Sequence, residues 1–184
     1  MALTYSTMLE LGTGAPDFNL QDVTSGKSFS LADFSGKKGL LVMFICKHCP
    51  YVKHIERELV QLGKDYQDKD LAIVGISSND ADKYPDDSPE SLKQFARDAG
   101  IVYPILFDGT QEVARSYTAA CTPDFFLFDS NRALVYRGQL DSSRPGNDAI
   151  NDGADLRAAI EALLNGREVS KDQKPSAGCN IKWR

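Results

Sequence analysis

The architecture of this chain is set by the stretch Gly39-Leu40-Leu41-Val42-Met43-Phe44-Ile45-Cys46-Lys47-His48-Cys49-Pro50. Its apolar half predicts a buried β-strand. Helical spacing of apolar residues follows over residues 51–63, at Val52, Ile55, Leu59 and Leu62. The two thiols therefore lie where a strand turns into a helix, and the free N–H groups and positive end of a helix favour a thiolate there. A dithiol in such a turn can open and close a disulfide without refolding, which indicates redox chemistry.

The composition allows a single domain over residues 1–184, with 42% apolar residues to build a core. The net charge of −5, from 21 basic and 26 acidic side chains, does not favour binding to nucleic acid. No apolar stretch approaches the ~18 residues needed to span a bilayer, and residues 1–20 lack a signal-peptide pattern. We therefore expect a cytoplasmic protein with neither nucleic acid nor membrane as partner. In a reducing compartment, its four cysteines favour catalysis or metal binding over structural disulfides.

The remaining patterns alternate between strand and helix. Strands are predicted at residues 18–20 and 27–29, as an N-terminal hairpin, and at 71–76, 102–107, 124–128 and 134–137. Helices are predicted at residues 89–99, after the capping residue Ser88 and before Gly100, and at 111–119 and 155–164. This order predicts an α/β protein with a mixed central sheet covered by helices on both faces.

Three sets of residues resemble a known superfamily. An apolar strand, a Cys-x-x-Cys that opens a helix, and Thr122-Pro123 ahead of a β-hairpin resemble the thioredoxin fold. The opening motifs Ala15-Pro16-Asp17-Phe18-x-Leu20 and Ser30-Leu31-x-Asp33-Phe34-x-Gly36-Lys37 are similar to those of the alkyl hydroperoxide reductase/thiol-specific antioxidant (redoxin) branch. The ending Pro175-Ser176-x-Gly178-Cys179-x-Ile181-Lys182-Trp183 resembles a peroxiredoxin-like subgroup with a Cys-x-x-Cys motif.

This resemblance implies thiol–disulfide exchange with a protein or small-molecule thiol or disulfide, with no cofactor and no metal. Cys46 is then the exposed nucleophile with a depressed pKa, and Cys49 is the resolving thiol. Lys47 and His48 tune the redox potential, because positive charge beside a thiolate stabilises the reduced form and makes the disulfide a better oxidant. The sequence names neither the electron donor nor the direction of electron transfer.

Departures from the family patterns limit this activity. Ile45 stands where thioredoxins have tryptophan, and residues 39–45 contain no acidic side chain. The base for Cys49 must therefore be a water, His48 or a group from elsewhere. Peroxiredoxins place threonine or serine three residues before the reactive cysteine, and Cys46 occupies that place before Cys49. We therefore expect slow disulfide reduction and still slower peroxide reduction.

The resemblance also implies a substrate-binding role for Thr122 and Pro123, with Pro123 in the cis form. Cys121 lies either on the active-site face or as a buried apolar residue. Residues 167–184 are predicted to cross the surface as a docked tail held by Ile181 and Trp183. Such a tail could bring Cys179 to Cys121 or to the dithiol, which makes both cysteines candidate redox thiols.

Other charged residues carry weaker signals. Arg144 follows the last predicted strand and could steer an anionic substrate, or it could be an ordinary surface residue. The acidic stretch at residues 79–87 lacks the glycine and glutamate of a calcium loop and is predicted to be solvated. His54 is predicted to be an exposed helix residue.

Two alternatives to the oxidoreductase stay open at this level. One is a thiol peroxidase that uses Cys46 or Cys49. The other is a metal-binding or redox-sensing module, in which Cys46, Cys49, Cys121 and either His48 or Cys179 hold zinc or an iron–sulfur cluster. Metal content separates the second alternative from both enzymes, and peroxide consumption separates the two enzymes.

Overall fold

The computed structural model describes residues 3–184 and is organised around a seven-stranded mixed sheet. Its strands, in chain order, are β2 (Asn19–Asp22), β3 (Ser28–Ser30), β4 (Gly39–Phe44), β5 (Leu71–Ser77), β6 (Ile105–Phe107), β8 (Asp124–Phe128) and β9 (Leu134–Gly138). A second sheet contains β1 (Leu3–Tyr5), β7 (Cys121–Thr122) and β10 (Ala177–Asn180). The α-helices of the described residues are α1 (Pro50–Tyr66), α2 (Pro89–Ala99), α3 (Glu112–Ser116) and α4 (Ala154–Leu164).

Strand β4 lies inside the large sheet, whose order is β3-β2-β6-β5-β4-β8-β9. It runs parallel to β5 and antiparallel to β8, and all six of its residues are buried. The parallel pairing needs a crossover, which α1 provides. The predicted N-terminal hairpin is confirmed by the antiparallel pairing of β2 with β3, and the predicted second hairpin by that of β8 with β9.

Successive side chains of β4 point to opposite faces of the sheet and belong to two hydrophobic clusters, one on each face. Leu41, Met43 and Ile45 pack on the face covered by α1, α2 and α4. Leu40, Val42 and Phe44 pack on the other face, against α3 and the N-terminal segment. The dithiol belongs to the first cluster, so its surroundings are apolar and α1 lies over them.

Two elements are shorter than predicted. The strand expected at residues 102–107 begins only at Ile105, because Pro104 offers no N–H to a sheet and Val102 is 49% exposed. The helix expected at residues 111–119 covers only Glu112–Ser116, because Gln111 and Thr118 both adopt left-handed backbone conformations. Helix α2 begins and ends as predicted, with the Ser88 hydroxyl accepting from the Ser91 N–H at 3.3 Å.

The second sheet covers the end of the large sheet at which the dithiol lies. Strand β10 pairs with β1 on one side and with β7 on the other, both antiparallel, and Cys179 faces Thr122 in the register. Chain segments from both ends of the described sequence therefore pair in one sheet, and β10 of that sheet contacts α1. Among residues 3–184, no helix has the length and apolar character required to cross a bilayer.

Candidate functional site

The two cysteines of the motif flank the junction between β4 and α1. Helix α1 begins at Pro50, so that Cys49 occupies the capping position and Cys46 lies three residues further from the helix. Both side chains are buried, with relative exposures of 1% for Cys46 and 0% for Cys49. The hydroxyl of Thr122 lies 3.3 Å from the Cys46 sulfur, and the Thr122 carbonyl oxygen lies 3.3 Å from the Cys49 sulfur. The predicted cis peptide bond between Thr122 and Pro123 is confirmed.

In the reduced pair, the negative charge lies on Cys49. The Cys46 S–H donates to the Cys49 sulfur, and further donation comes from the Cys179 thiol and from the backbone N–H groups of Val52 and Cys179. Against the opposing effect of burial, these donors lower the pKa of Cys49 to about 5. The Thr122 carbonyl is an acceptor and favours the neutral thiol, but the donors around the sulfur outweigh it.

Cys46 contradicts the expectation of an exposed nucleophile with a depressed pKa. Donation to Cys49, burial and the nearby Asp87 carboxylate all raise the pKa of Cys46, which keeps it protonated. The prediction failed because the helix begins at Pro50, so its N-terminal N–H groups serve Cys49. It failed also because an acidic side chain from another loop lies beside Cys46.

That acidic side chain, Asp87, corrects the prediction that residues 79–87 form a solvated loop. Asp87 is fully buried, and its Oδ1 atom accepts from the backbone N–H groups of Lys47 at 2.8 Å and His48 at 3.2 Å. Its Oδ2 atom accepts from the Asn79 amide at 2.8 Å. Asn79 in turn accepts from the backbone N–H of Lys182 at 2.8 Å. One hydrogen-bond network therefore joins the Cys-x-x-Cys loop to the C-terminal segment.

His48 lies beside both Asp87 and Cys46. Its Nδ1 atom pairs with the Asp87 carboxylate, its ring stacks on Tyr84 at 5.3 Å, and its Nε2 atom is buried without a hydrogen-bond partner. The Cys46 sulfur, a His48 ring nitrogen and an Asp87 oxygen lie within 4.8 Å of one another. Because Nδ1 is paired with Asp87, Nε2 is the ring nitrogen left to accept a proton from the Cys46 thiol, to which it makes no hydrogen bond in this structure.

Lys47 does not direct its charge toward the thiolate. Its ammonium donates to the Ser91 hydroxyl on α2 at 2.8 Å. The contribution of Lys47 to the loop comes instead from its backbone N–H, which binds Asp87.

The predicted set of metal ligands is not brought together. Among residues 3–184, the group of three whose ligand atoms lie within 4.8 Å of one another is Cys46, His48 and Asp87. Cys121 lies outside it, and its thiol donates to the Pro123 carbonyl at 3.6 Å. Burial raises the pKa of Cys121, which therefore behaves as a neutral buried thiol.

The sequence left open whether Cys179 lies beside Cys121 or beside the dithiol. In the structure it contacts the dithiol. Its thiol hydrogen-bonds to the Cys49 sulfur, and burial followed by this contact raises the pKa of Cys179 to about 12. The side chain is 3% exposed. Of the two predicted anchors beside it, Ile181 is buried, whereas Trp183 is half-buried and lies under the guanidinium of Arg115 at 4.4 Å.

Arg144 and His54 lie together near the N-terminal part of α1. The Arg144 guanidinium donates to the carbonyls of Asp141 and Ser143, each at 2.7 Å, and to the Gln139 side chain at 2.6 Å. Its hydrogen bonds therefore hold its own loop, through acceptors that carry no charge. His54 is half-buried and hydrogen-bonds to the Ser143 hydroxyl, which corrects the prediction of a merely exposed helix residue.

Asp124 is a further buried acid that the sequence analysis did not single out. It follows Pro123, is 0% exposed, and shares with Phe126 the sheet face opposite α1. Burial raises the pKa of its carboxyl group to about 8. Because the dithiol lies on the other face of the sheet, Asp124 is not the base that the motif requires.

A sequence signal for Asp87 existed in the predicted order of elements. The acidic stretch follows the second buried strand, and the loop with Cys46 and Cys49 follows the first. Neighbouring parallel strands place their carboxyl ends at one edge, where functional groups of α/β proteins gather. The parallel pairing of β4 and β5 brings the two loops together there.

Comparison with known proteins agrees with this geometry. A solved structure of a conserved protein from Geobacillus kaustophilus is 50% identical, with a TM-score of 0.98 over 100% of this chain and 97% of that one. The thiol-disulfide oxidoreductase ResA of Geobacillus thermodenitrificans is 28% identical over 131 residues, which are 70% of this chain and 68% of the relative.

The fold is that of thioredoxin. The thioredoxin domain of a thiol-disulfide oxidoreductase from Bacteroides vulgatus superposes with a TM-score of 0.64 at 23% identity, over 85% of this chain and 99% of that domain. The model of the AhpC/TSA family matches residues 11–137, from the N-terminal segment to β9, and this span includes both the dithiol and the cis-proline. The chain therefore belongs to the AhpC/TSA family.

Proposed function

We propose that this protein is a thiol–disulfide oxidoreductase that works through the Cys46–Cys49 pair, within a single domain whose residues 167–184 form a docked tail. The observation that carries this proposal is the position of the two sulfurs at the start of α1, where each lies 3.3 Å from an oxygen of Thr122, the residue before the cis-proline. One thiolate and one thiol in contact are the reduced half of a disulfide couple. The similarity to a named thiol-disulfide oxidoreductase supports the same activity.

The charges assign the order of steps for reduction of a substrate disulfide. The Cys49 thiolate attacks one substrate sulfur, the substrate S–S bond breaks, and the first substrate thiolate leaves with the bonding pair. Cys46 then gives its proton to His48 and attacks the Cys49 sulfur. The Cys46–Cys49 bond forms, the second substrate thiolate leaves, and His48 returns a proton to it. Two electrons have passed to the substrate, and the reverse sequence oxidises a dithiol.

Substrate access requires movement, because both sulfurs are at most 1% exposed. Strand β10 covers them and pairs with β7 through Cys179 and Thr122. The partner is therefore a protein or small thiol or disulfide that reaches the pair when β10 moves aside. A cytoplasmic location is part of the proposal, because a reducing compartment keeps the thiols of a catalytic dithiol available for exchange.

A redox titration tests the proposal directly. Protein equilibrated in buffers of known dithiothreitol ratio, quenched with acid and alkylated, should yield a Cys46–Cys49 disulfide by peptide mass mapping. The ratio of the disulfide to the dithiol form should change tenfold for each ~30 mV of potential, as expected for transfer of two electrons. The Cys121→Ser variant should show the same dependence of disulfide fraction on potential as wild type, and the Cys49→Ser variant should form no such disulfide. Failure of wild-type protein to form this disulfide at any potential would refute the proposal.

Peroxide turnover decides between the proposed activity and the peroxidase alternative. We expect consumption of hydrogen peroxide to stay well below a kcat/KM of ~10⁴ M⁻¹s⁻¹, the lower end for typical enzymes. Cys46 occupies the place of the threonine found in peroxiredoxins, and both sulfurs are covered. Turnover at or above that rate would favour the peroxidase.

Asp87→Asn tests the proton-transfer step. The variant removes the charge that raises the pKa of Cys46 and orients His48, so the Cys46 thiol should ionise at lower pH. Burial still keeps Cys46 protonated at neutral pH, so resolution of a Cys49 mixed disulfide should slow by roughly 100-fold, as for loss of a general base. Alkylation of Cys46 against pH and stopped-flow release of the second thiolate measure the two effects. The exposed neighbour Asp86→Asn is the control, and an unchanged resolution rate in Asp87→Asn would argue against the His48 base.

A further inference from the structure

The sulfur of Cys49 has a thiol on each of two sides. Cys46 contacts it from the β4 side of the motif, and Cys179 contacts it from β10. Most of the chain separates Cys179 from the motif, so β10 must be positioned by its pairing with other strands. All three sulfurs belong to one apolar cluster and are 3% exposed or less.

Thr122 fixes the relative positions of the three thiols. Its hydroxyl and carbonyl oxygens lie 3.3 Å from the Cys46 and Cys49 sulfurs, respectively, and its Cα is the register partner of Cys179. The neighbouring Gly178 makes this approach possible. A Cβ atom at position 178 would lie 2.1 Å from the Thr122 carbonyl oxygen.

We propose that Cys179 is a second resolving thiol, which competes with Cys46 for the Cys49 sulfur. This inference rests on the proposed function, because it concerns the fate of a mixed disulfide at Cys49. The return of β10 to β7 after a substrate has reacted brings the Cys179 sulfur back onto the Cys49 sulfur. The resulting Cys49–Cys179 disulfide links α1 covalently to the strand that covers the site.

The step balances without an external oxidant. With a substrate sulfur bound to Cys49, the Cys179 thiol loses its proton as it attacks Cys49. The Cys49–substrate bond breaks, the Cys49–Cys179 bond forms, and the substrate thiolate leaves with the electron pair and takes up the proton. In the fully oxidised motif, the same attack by Cys179 converts the Cys46–Cys49 bond into a Cys49–Cys179 bond and restores the Cys46 thiol.

The chain contains a matched control in Cys121. It is a buried thiol on β7, next to Thr122, but its hydrogen bond goes to the Pro123 carbonyl and not to Cys49. Burial is the main cause that raises the pKa of both thiols, so Cys121 matches Cys179 as a neutral buried thiol. A resolving role should therefore depend on Cys179 and be independent of Cys121.

The experiment removes Cys46 and counts leaving groups. Full-length Cys46→Ser protein is mixed with one equivalent of 5,5′-dithiobis(2-nitrobenzoate), which releases one thionitrobenzoate when it forms a mixed disulfide. Resolution within the protein releases a second. We expect two per equivalent from Cys46→Ser and from Cys46→Ser/Cys121→Ser, and one from Cys46→Ser/Cys179→Ser. Peptide mapping under non-reducing conditions should show the Cys49–Cys179 disulfide, and monomer migration on a gel excludes links between chains.

Two outcomes would overturn the inference. One is a mixed disulfide in Cys46→Ser as long-lived as that in Cys46→Ser/Cys179→Ser, and the other is a map in which Cys121 is the partner of Cys49. The titration of wild-type protein separates this failure from failure of the proposed function. If Cys46–Cys49 titrates normally while Cys46→Ser yields no Cys49–Cys179 disulfide, only the role of Cys179 is refuted. Circular dichroism of each variant confirms that the domain is folded.

Discussion

Gly178→Ala should make the buried dithiol reactive. The added Cβ would lie 2.1 Å from the Thr122 carbonyl oxygen and 2.7 Å from the Thr122 carbonyl carbon, and neither backbone atom can turn away as a flexible side chain does. Strand β10 must therefore move off β7. An overpacked contact costs about 1–3 kcal/mol, which raises the fraction of molecules with an open site about 5- to 150-fold. Alkylation of Cys46 and Cys49 should accelerate by the same factor.

The measurement is the rate of iodoacetamide labelling at each cysteine, followed by mass spectrometry at fixed pH. Gly14→Ala is the matched control, because a Cβ atom there meets nothing within 4 Å. It should leave all four rates unchanged. A folded Gly178→Ala protein that labels at the wild-type rate would show that β10 does not limit access to the dithiol.

Asp124→Asn should flatten the dependence of stability on pH. The pKa of Asp124 is about 8 in the folded protein, against about 3.9 for an unfolded chain. Between these values the folded state binds the extra proton, so the free energy of unfolding falls as pH rises, by up to about 1.4 kcal/mol per pH unit. Asparagine keeps the shape of the neutral acid and cannot ionise. The variant should therefore become more stable than wild type as the pH approaches 8.

Urea unfolding of both proteins between pH 5 and pH 8 measures this difference, with the linear-extrapolation free energy as the readout. Asp68→Asn, at an exposed turn after α1, serves as the control and should follow the wild-type curve. Parallel curves for wild type and Asp124→Asn would mean that the buried carboxyl group does not change ionisation in this range. The dithiol contributes equally to all three proteins, so its own ionisation cancels in the comparison.

The sequence was sufficient for the features that depend on neighbouring residues. The apolar stretch of β4 and the caps of α2 act within a few residues, so their patterns predicted these elements. The charge distribution of the dithiol was predicted wrongly, because it depends on Asp87, which another loop brings beside Cys46. The exact start of α1, at Pro50, also decides which thiol the helix end serves. Helical spacing from residue 51 already placed this start within one residue, so the error lay in assigning the helix end to Cys46 and not to Cys49.

The C-terminal segment shows the same limit. Its motif left two places open for Cys179, beside Cys121 or beside the dithiol, and only the strand register distinguishes these places. Trp183 was expected to be the main anchor, since a lone tryptophan usually gains from burial. In the structure Ile181 is buried deeper, because the backbone of Lys182 is held by Asn79 and leaves the indole at the surface beside Arg115.

The position of β10 in the chain also has a consequence during synthesis. Translation produces β10 after every other strand of the two sheets, including the β7 edge on which it lies. Domains begin to fold before the ribosome has finished the chain. The newborn protein therefore passes through a stage in which the Cys-x-x-Cys motif has emerged and its cover has not. In that interval the nascent thiols are open to oxidants and to other proteins, and the arrival of β10 closes the site.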